Sequence, residues 1–132
     1  MSAPARAASE DAAIQRQELA RAREPSEIGA RHMLAMHVQS KSRPESVTRS
    51  REEARALAQQ CLMKLRSGAR FEDLVAGCSD EPGAGERGGE LGVFRREVMV
   101  KPFADAAFQL RVGEISELVE TPYGFHIIQR TK

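Results

Sequence analysis

The chain lacks the long apolar segments that would place it in a membrane. No run among its 132 residues approaches the ~18 consecutive apolar residues that span a bilayer. Residues 2–13 also lack the apolar stretch of a secretory signal peptide, so the sequence predicts a cytoplasmic location. The net charge is only +1, which gives no general attraction to nucleic acids or membranes. Neither is therefore expected as a partner.

Cysteine is scarce as well. The two cysteines, Cys61 and Cys78, lie in apolar helical patterns without the spacing of metal ligands. A free cysteine packs as a small apolar side chain, so we expect both thiols to be reduced and half-buried rather than bonded together. The histidines do not indicate a metal site either, because His32 and His37 fall on opposite faces of a predicted strand.

The composition is that of one soluble domain preceded by a distinct segment. The whole chain is 41% hydrophobic and 30% charged, and its length suits a single core. Residues 1–27 contain eight alanines, and Ile14 and Leu19 are their only large apolar residues after Met1. A helix without a wide apolar stripe is marginal alone. We therefore expect residues 1–27 to form a flexible tail or a lightly docked helix, and residues 28–132 to form the domain.

Hydrophobic periodicity predicts an α+β domain. From residue 28 to residue 38 every second side chain is apolar except His32, whereas Arg31 and His37 fall on the other face; this predicts a strand with His32 on its apolar face. Ser50 and Glu53 have capping-box spacing before a helical stripe, and Pro102 suits the first turn of a later helix. Further strands are predicted at 91–94, 115–119 and 125–130. The order is β-α-α-β-α-β-β, with a further short helix possible before the second strand, in an antiparallel or mixed sheet.

Three motifs in the second half of the chain carry a family resemblance. They are GGELGVF at 88–94, MVKPF at 99–103 and YGFHII at 123–128. Together with His32 in the first strand, they resemble the parvulin family of peptidyl-prolyl cis/trans isomerases, over residues 28–132. The resemblance implies a four-stranded antiparallel sheet surrounded by about four helices. It also implies a monomeric enzyme that rotates X–Pro bonds of peptides and proteins without a cofactor or metal.

The resemblance further implies a slot for the proline ring. In parvulins the ring is held by residues that match Leu91, Met99 and Phe103 of this chain. Periodicity alone would make all three ordinary core residues.

Polar groups are expected beneath and beside this slot. His32 and His126 match the two family histidines at the base of the site, and Thr121 matches a hydroxyl linked to them. A shared hydrogen bond would fix the ring tautomers, which makes a structural role compatible with a catalytic one. Where parvulins carry cysteine or aspartate this chain has Glu81, so a thiol nucleophile is absent there. Asp80 competes with Glu81 for the same role, and both acids are also readable as solvated loop residues.

A basic loop follows the first strand. Residues 31–51 contain five basic residues and one acidic residue, a local balance of +4. Lys41 and Arg43 match a cluster that binds phosphate in the phosphorylation-directed branch of the family, whereas the lysine expected at the end of the strand is Met36. An acidic or phosphorylated residue before proline is the predicted preference. The alternative is a solvated charged loop.

Two functions are compatible with these residues. The first is a catalytic peptidyl-prolyl isomerase. The second is a non-catalytic module of parvulin shape that binds peptides or acts as a chaperone. The presence of both histidines and all three slot residues favours the enzyme.

Overall fold

The computed structural model describes residues 11–16, 18–19 and 23–132. From residue 27 onward the chain forms four strands, four α-helices and one 3₁₀-helix. In chain order these are β1 (Glu27–Ala35), α1 (Arg51–Arg66), α2 (Phe71–Cys78), α3 (Ala84–Arg87), β2 (Glu90–Arg95), the 3₁₀-helix (Arg96–Val98), α4 (Lys101–Ala107), β3 (Val119–Thr121) and β4 (Gly124–Arg130).

The four strands form one antiparallel sheet in the order β2-β1-β4-β3. The predicted α+β class and antiparallel sheet are thus confirmed. The first strand is shorter than predicted, since it ends at Ala35 and Val38 is 48% exposed. The chain turns there, and the Ser40 amide donates to the His37 carbonyl (2.9 Å).

Helices cover both faces of the two central strands. On one face α1 and α2 pack against Met33 and Ile127. On the other face α4 packs against Ile28, Ala30 and Ile128. Because β1 and β4 are interior strands, their side chains are buried on both faces. His32 and His126 share the strand parity of Ala30 and Ile128, and therefore face α4.

Helix starts follow the sequence signals closely. Ser50 caps α1, its hydroxyl accepting the Glu53 amide while the Glu53 carboxylate accepts the Ser50 amide. Pro102 lies in the first turn of α4, as predicted. That start directs Phe103 inward, where it is 2% exposed.

The prediction for the two cysteines is wrong. Cys61 and Cys78 are joined by a disulfide, with their Cα atoms 6.3 Å apart. The reason is tertiary: the apolar stripes of α1 and α2 face each other in one core cluster, which brings the two thiols together. A crosslink across 17 residues stabilises the fold by about 3 kcal/mol, chiefly by restricting the unfolded chain.

The strand predicted at 115–119 is also misplaced. Ile115 makes only an isolated bridge to Gln129, and β3 begins at Val119. The Ile128 amide donates to the Ser116 hydroxyl (2.9 Å), whereas in a regular ladder it would donate to a backbone carbonyl. The side chain therefore interrupts the ladder, which resumes nearer the turn.

Part of the N-terminal segment is helical. Residues 11–16, 18–19 and 23 have helical conformation, and Ile14 and Leu19 are 52% and 55% exposed. The predictions for residues 1–10, 17 and 20–22 lie outside the described residues. Just before β1, Glu24 pairs with Arg96 at 2.8 Å and so ties this segment to the 3₁₀-helix. Within the described residues no helix is both long and apolar enough to cross a membrane.

Candidate active site

A small cavity lies between α4 and the centre of the sheet. Its volume is about 260 Å³, and most of its lining is apolar. Ten residues line the cavity, and six of them were proposed from the sequence. The lining residues are His32, Leu34, Glu81, Leu91, Val98, Met99, Val100, Phe103, Tyr123 and His126. We call this cavity the slot.

The glycine turn before β2 sets the position of Leu91 in the slot. Gly89 has φ +77°, and a Cβ there would lie 2.3 Å from the His32 carbonyl oxygen. Only glycine fits this close approach. The His32 amide donates to the Gly89 carbonyl (2.9 Å), which holds the turn against β1.

The floor of the slot is a pair of buried histidines. The Nδ1 atoms of His32 and His126 are 3.1 Å apart, and the rings stack with centroids 5.3 Å apart. The Phe103 ring stands edge-on to both imidazoles, at 5.6 and 5.2 Å. The apolar wall and the polar floor are therefore in direct contact.

The histidine pair is anchored at both ends. His32 Nε2 lies 2.7 Å from Glu81 Oε2, and His126 Nε2 lies 2.7 Å from Thr121 Oγ1. The Thr121 hydroxyl also accepts the Tyr123 amide at 3.1 Å. Four predicted residues thus form one continuous hydrogen-bonded chain, which we call the floor chain: Glu81, His32, His126 and Thr121.

Hydrogen positions along the floor chain can be assigned from its contacts if both imidazole rings are uncharged. A carboxylate only accepts, so His32 donates from Nε2 to Glu81. With both rings uncharged, His126 then donates from Nδ1 to His32, and Thr121 donates to His126 Nε2. Every donor points toward Glu81, and each polar atom of the chain has a partner.

Burial and neighbouring charge reinforce this arrangement. Burial first, and the adjacent His32 second, lower the pKa of His126 to about 3. The pKa of Glu81 is lowered chiefly by its hydrogen bond with His32, against the opposing effect of burial. At neutral pH the slot therefore has an uncharged His126 beneath it and an ionised carboxylate at its edge.

Arg87 is a member of the site that sequence reasoning missed. Its guanidinium lies 2.5 Å from Glu81 Oε1, the carboxylate oxygen that does not face His32. It also donates to the Pro82 carbonyl at 3.2 Å. The sequence did contain a signal for this contact, because Arg87 is the single basic residue among the four acids of residues 80–90.

Asp80, the competitor of Glu81, lies outside the slot lining. Its Oδ2 accepts the Met36 amide at 2.8 Å and pairs with Arg49 at 2.5 Å. Next to it, the Ser79 hydroxyl accepts the Leu34 amide at 3.0 Å. These bonds hold the segment before Glu81 against the end of β1.

His37 lies apart from the floor chain. It is 6% exposed, its Nδ1 accepts the Gln39 amide at 3.2 Å, and its ring lies 6.1 Å from that of Phe125. Within the described residues no three histidine, cysteine or acidic side chains are grouped as metal ligands. The disulfide also removes Cys61 and Cys78 as ligands.

The basic loop presents fewer free cations than its sequence suggests. Arg49 pairs with Asp80, Arg51 with Glu120 and Arg31 with Glu72. The remaining two, Lys41 and Arg43, are exposed and form no ion pair among the residues described.

Lys41 reaches toward the slot. Its ammonium lies 5.5 Å from the ring centre of Tyr123, a residue of the slot lining. Arg43 donates to the Val47 carbonyl at 2.8 Å. Met36, which replaces the family lysine, is 3% exposed and packs with Leu34 and Val47. Its side chain supplies no positive charge to the loop.

Comparison with known proteins identifies the family. A family model described as a PPIC-type PPIase domain matches residues 6–132. The chain belongs to this family. It is 51% identical over 108 residues to the peptidyl-prolyl cis-trans isomerase pin1 of Schizosaccharomyces pombe, covering 78% of this chain and 61% of that protein. It is 39% identical over 115 residues to Pin1 of Malus domestica, covering 80% and 94%.

Solved structures support the same family. The peptidyl-prolyl isomerase ESS1 from Candida albicans superposes with a TM-score of 0.75 at 34% identity, over 81% of this chain and 63% of that one. PrsA from Bacillus subtilis superposes with a TM-score of 0.64 at 33% identity, over 81% and 35%. This PPIase-family chain thus spans less than two thirds of several relatives that it matches.

The buried His126 predicts a pH-dependent stability. Its pKa is about 3 in the fold and near 6.5 when unfolded, so the unfolded chain binds the extra proton in between. Stability from this group is therefore complete above pH 6.5 and declines as pH falls toward 3. Between about pH 6.5 and 5.5, above the range where most carboxylates titrate, we expect a loss approaching about 1.4 kcal/mol per pH unit from His126.

The measurement is the free energy of unfolding in urea at several pH values. The His126→Gln variant should lose this component of the slope, whereas His37→Gln, which alters a buried histidine outside the floor chain, should retain it. Equal slopes in wild type and His126→Gln would contradict the assignment.

Proposed function

We propose that this chain accelerates cis/trans rotation about X–Pro bonds in peptides and proteins. The observation that supports it is a small apolar slot directly above a buried histidine pair, with an ionised carboxylate at its edge. The slot suits a proline ring in size and polarity. The family membership and the names of the relatives support the same activity.

The reaction demands little chemistry. Rotation must overcome the amide resonance barrier of about 18–20 kcal/mol, and no covalent bond is made or broken. A planar amide has a large charge separation that water stabilises, and the twisted amide has less. An apolar slot formed by Leu91, Met99 and Phe103 withdraws the amide from water and so favours the twisted state.

Glu81 adds an electrostatic contribution. In the planar amide the carbonyl oxygen has a partial negative charge, which diminishes as the bond twists. A fixed carboxylate beside that oxygen raises the energy of the planar state more than that of the twisted state. Glu81 is held for this role by His32 on one oxygen and by Arg87 on the other. It acts as a fixed charge and forms no covalent intermediate.

His32, His126 and Thr121 act mainly by positioning. Their hydrogen bonds use the ring nitrogens, so the floor stays rigid beneath the slot. In this reading the histidines hold Glu81 and the Phe103 ring in place. The imidazoles exchange no proton with the substrate.

Lys41 and Arg43 give the site a preference for a negative charge before proline. Both are exposed cations, and Lys41 lies next to Tyr123 at the slot. Exposed charge pairs contribute only about 0–1 kcal/mol each and weaken with salt. The preference should therefore be several-fold, for glutamate as well as for phosphoserine.

The substrates we propose are proline-containing peptides and proteins, bound by a monomer without nucleic acid or membrane. The cytoplasmic location also stays a prediction. The disulfide between Cys61 and Cys78 favours an oxidising compartment instead, since such bonds persist mainly there.

Catalysis is tested by NMR exchange on an Ala-Glu-Pro-Leu peptide with catalytic amounts of protein. Wild type should accelerate exchange between the cis and trans forms. Leu91→Ala, at a half-buried slot position, should lower kcat/KM by about tenfold, since roughly 50 Å² of apolar contact is lost. Phe103→Ala should lower it further, and should also cost about 3–5 kcal/mol of stability.

Leu62→Ala is the matched control. Leu62 is also fully buried, at 3% exposure, but belongs to the cluster on the opposite face of the sheet. This variant should lose stability while its folded fraction keeps full turnover. Binding of the peptide without any acceleration would instead identify a non-catalytic binding module, and full activity in folded Leu91→Ala would place the site elsewhere.

The anion preference is tested by comparing Glu-Pro, phosphoSer-Pro and Ala-Pro peptides at low and high salt. Wild type should favour both anionic peptides several-fold at low salt, and Lys41→Ala/Arg43→Ala should remove the preference. Lys64→Ala/Arg111→Ala removes two exposed cations outside the loop and is the charge-matched control. Equal rates for all peptides at low salt would show that the loop is only a solvated charged surface and selects no substrate.

A further inference from the structure

Two valines form an exposed apolar lip on the slot. Val98 is 71% exposed and Val100 is 37% exposed, and both line the cavity. They flank Met99, which turns inward and packs against the core cluster beneath α4. The segment thus contributes one side chain to the slot and two to its rim, which we call the valine lip.

Neither valine is explained by the stability of the fold. Val98 ends the 3₁₀-helix with most of its surface in water. Val100 occupies the N-cap of α4 and makes no side-chain capping bond there. Serine, threonine, aspartate or asparagine at an N-cap stabilises a helix by about 1 kcal/mol relative to an apolar residue. Unlike the other exposed valines, these two line a cavity, where an apolar side chain is available to contact a ligand.

The valine lip and the basic loop lie at different ends of β1. Met99, at the centre of the lip, packs against the core cluster that contains Ile28 and Ala30 from the first half of β1. Tyr123, whose ring lies beneath the Lys41 ammonium, packs against a cluster of Leu34, near the end of β1, and two residues beyond that strand. The slot lies between these two surfaces, so a peptide with its proline in the slot has one neighbour toward each.

We propose that the valine lip binds the residue that follows proline and selects an apolar side chain there. The inference rests on the proposed function, because the basic loop directs the residue before proline toward Lys41. The chain then continues from the slot toward Val98 and Val100, which offer no hydrogen bond from their side chains. The preferred substrates are therefore of the type acidic-Pro-apolar, with leucine, isoleucine or phenylalanine after proline.

The experiment compares Ala-Glu-Pro-Leu with Ala-Glu-Pro-Ser by NMR, measuring kcat/KM by exchange and Kd by titration. Wild type should favour the leucine peptide by about five- to tenfold, the range expected when roughly 50 Å² of apolar surface leaves water. The isosteric double variant Val98→Thr/Val100→Thr should reduce that ratio to near one. Threonine at position 100 also supplies the missing N-cap, so this variant should fold at least as stably as wild type.

Val93→Thr/Val112→Thr is the matched control. These valines are 49% and 63% exposed and lie outside the slot lining, so the ratio should stay at the wild-type value. A wild-type ratio near one, or a full preference retained in Val98→Thr/Val100→Thr, would overturn the proposal. If no peptide is turned over, the proposed function fails, and the ratio of Kd values still decides whether the lip selects an apolar residue.

Discussion

The hydrogen bond between two buried imidazoles is the constraint on which the rest of the site depends. His32 and His126 are 5% and 4% exposed, and buried polar atoms without partners are costly. Each ring therefore needs a second partner, and these are supplied by Glu81 and Thr121. Glu81 reaches its position because Ser79 and Asp80 bind the backbone at and just beyond the end of β1. Cys78, the last residue of α2, is held by the disulfide. The slot thus rests on a floor whose polar atoms are all paired.

Above this floor, different parts of the slot differ in polarity and charge. The centre is apolar and, in the proposed function, withdraws the proline ring from water, whereas Glu81 is a fixed charge at the edge. One end of the slot has the cation of Lys41 and the other has the apolar lip of Val98 and Val100. In this account the floor and centre accelerate bond rotation, and the two ends select the residues around proline. The proposed function therefore assigns catalysis and selectivity to different side chains.

Local signals predicted much of the fold, and contacts made at a distance were the part that failed. The capping box at Ser50 and the helix start at Pro102 depend only on near neighbours, and both are present. The disulfide was missed because it depends on how two helices face each other, and Arg87 because a short helix turns it back toward Glu81. The floor residues were identified through family motifs. Periodicity alone predicted only that His32 lies on an apolar face.

The central claim is that the floor is an uncharged chain of hydrogen bonds that ends on an ionised Glu81. Long-range ¹H–¹⁵N NMR spectra of the imidazole side chains test it most directly, because they report the tautomer and charge of each ring. The account predicts that at pH 7 His32 is protonated on Nε2 and His126 on Nδ1, and that His126 stays uncharged at pH 5. A His126 ring protonated on Nε2 at pH 7, or charged at pH 5, would contradict it.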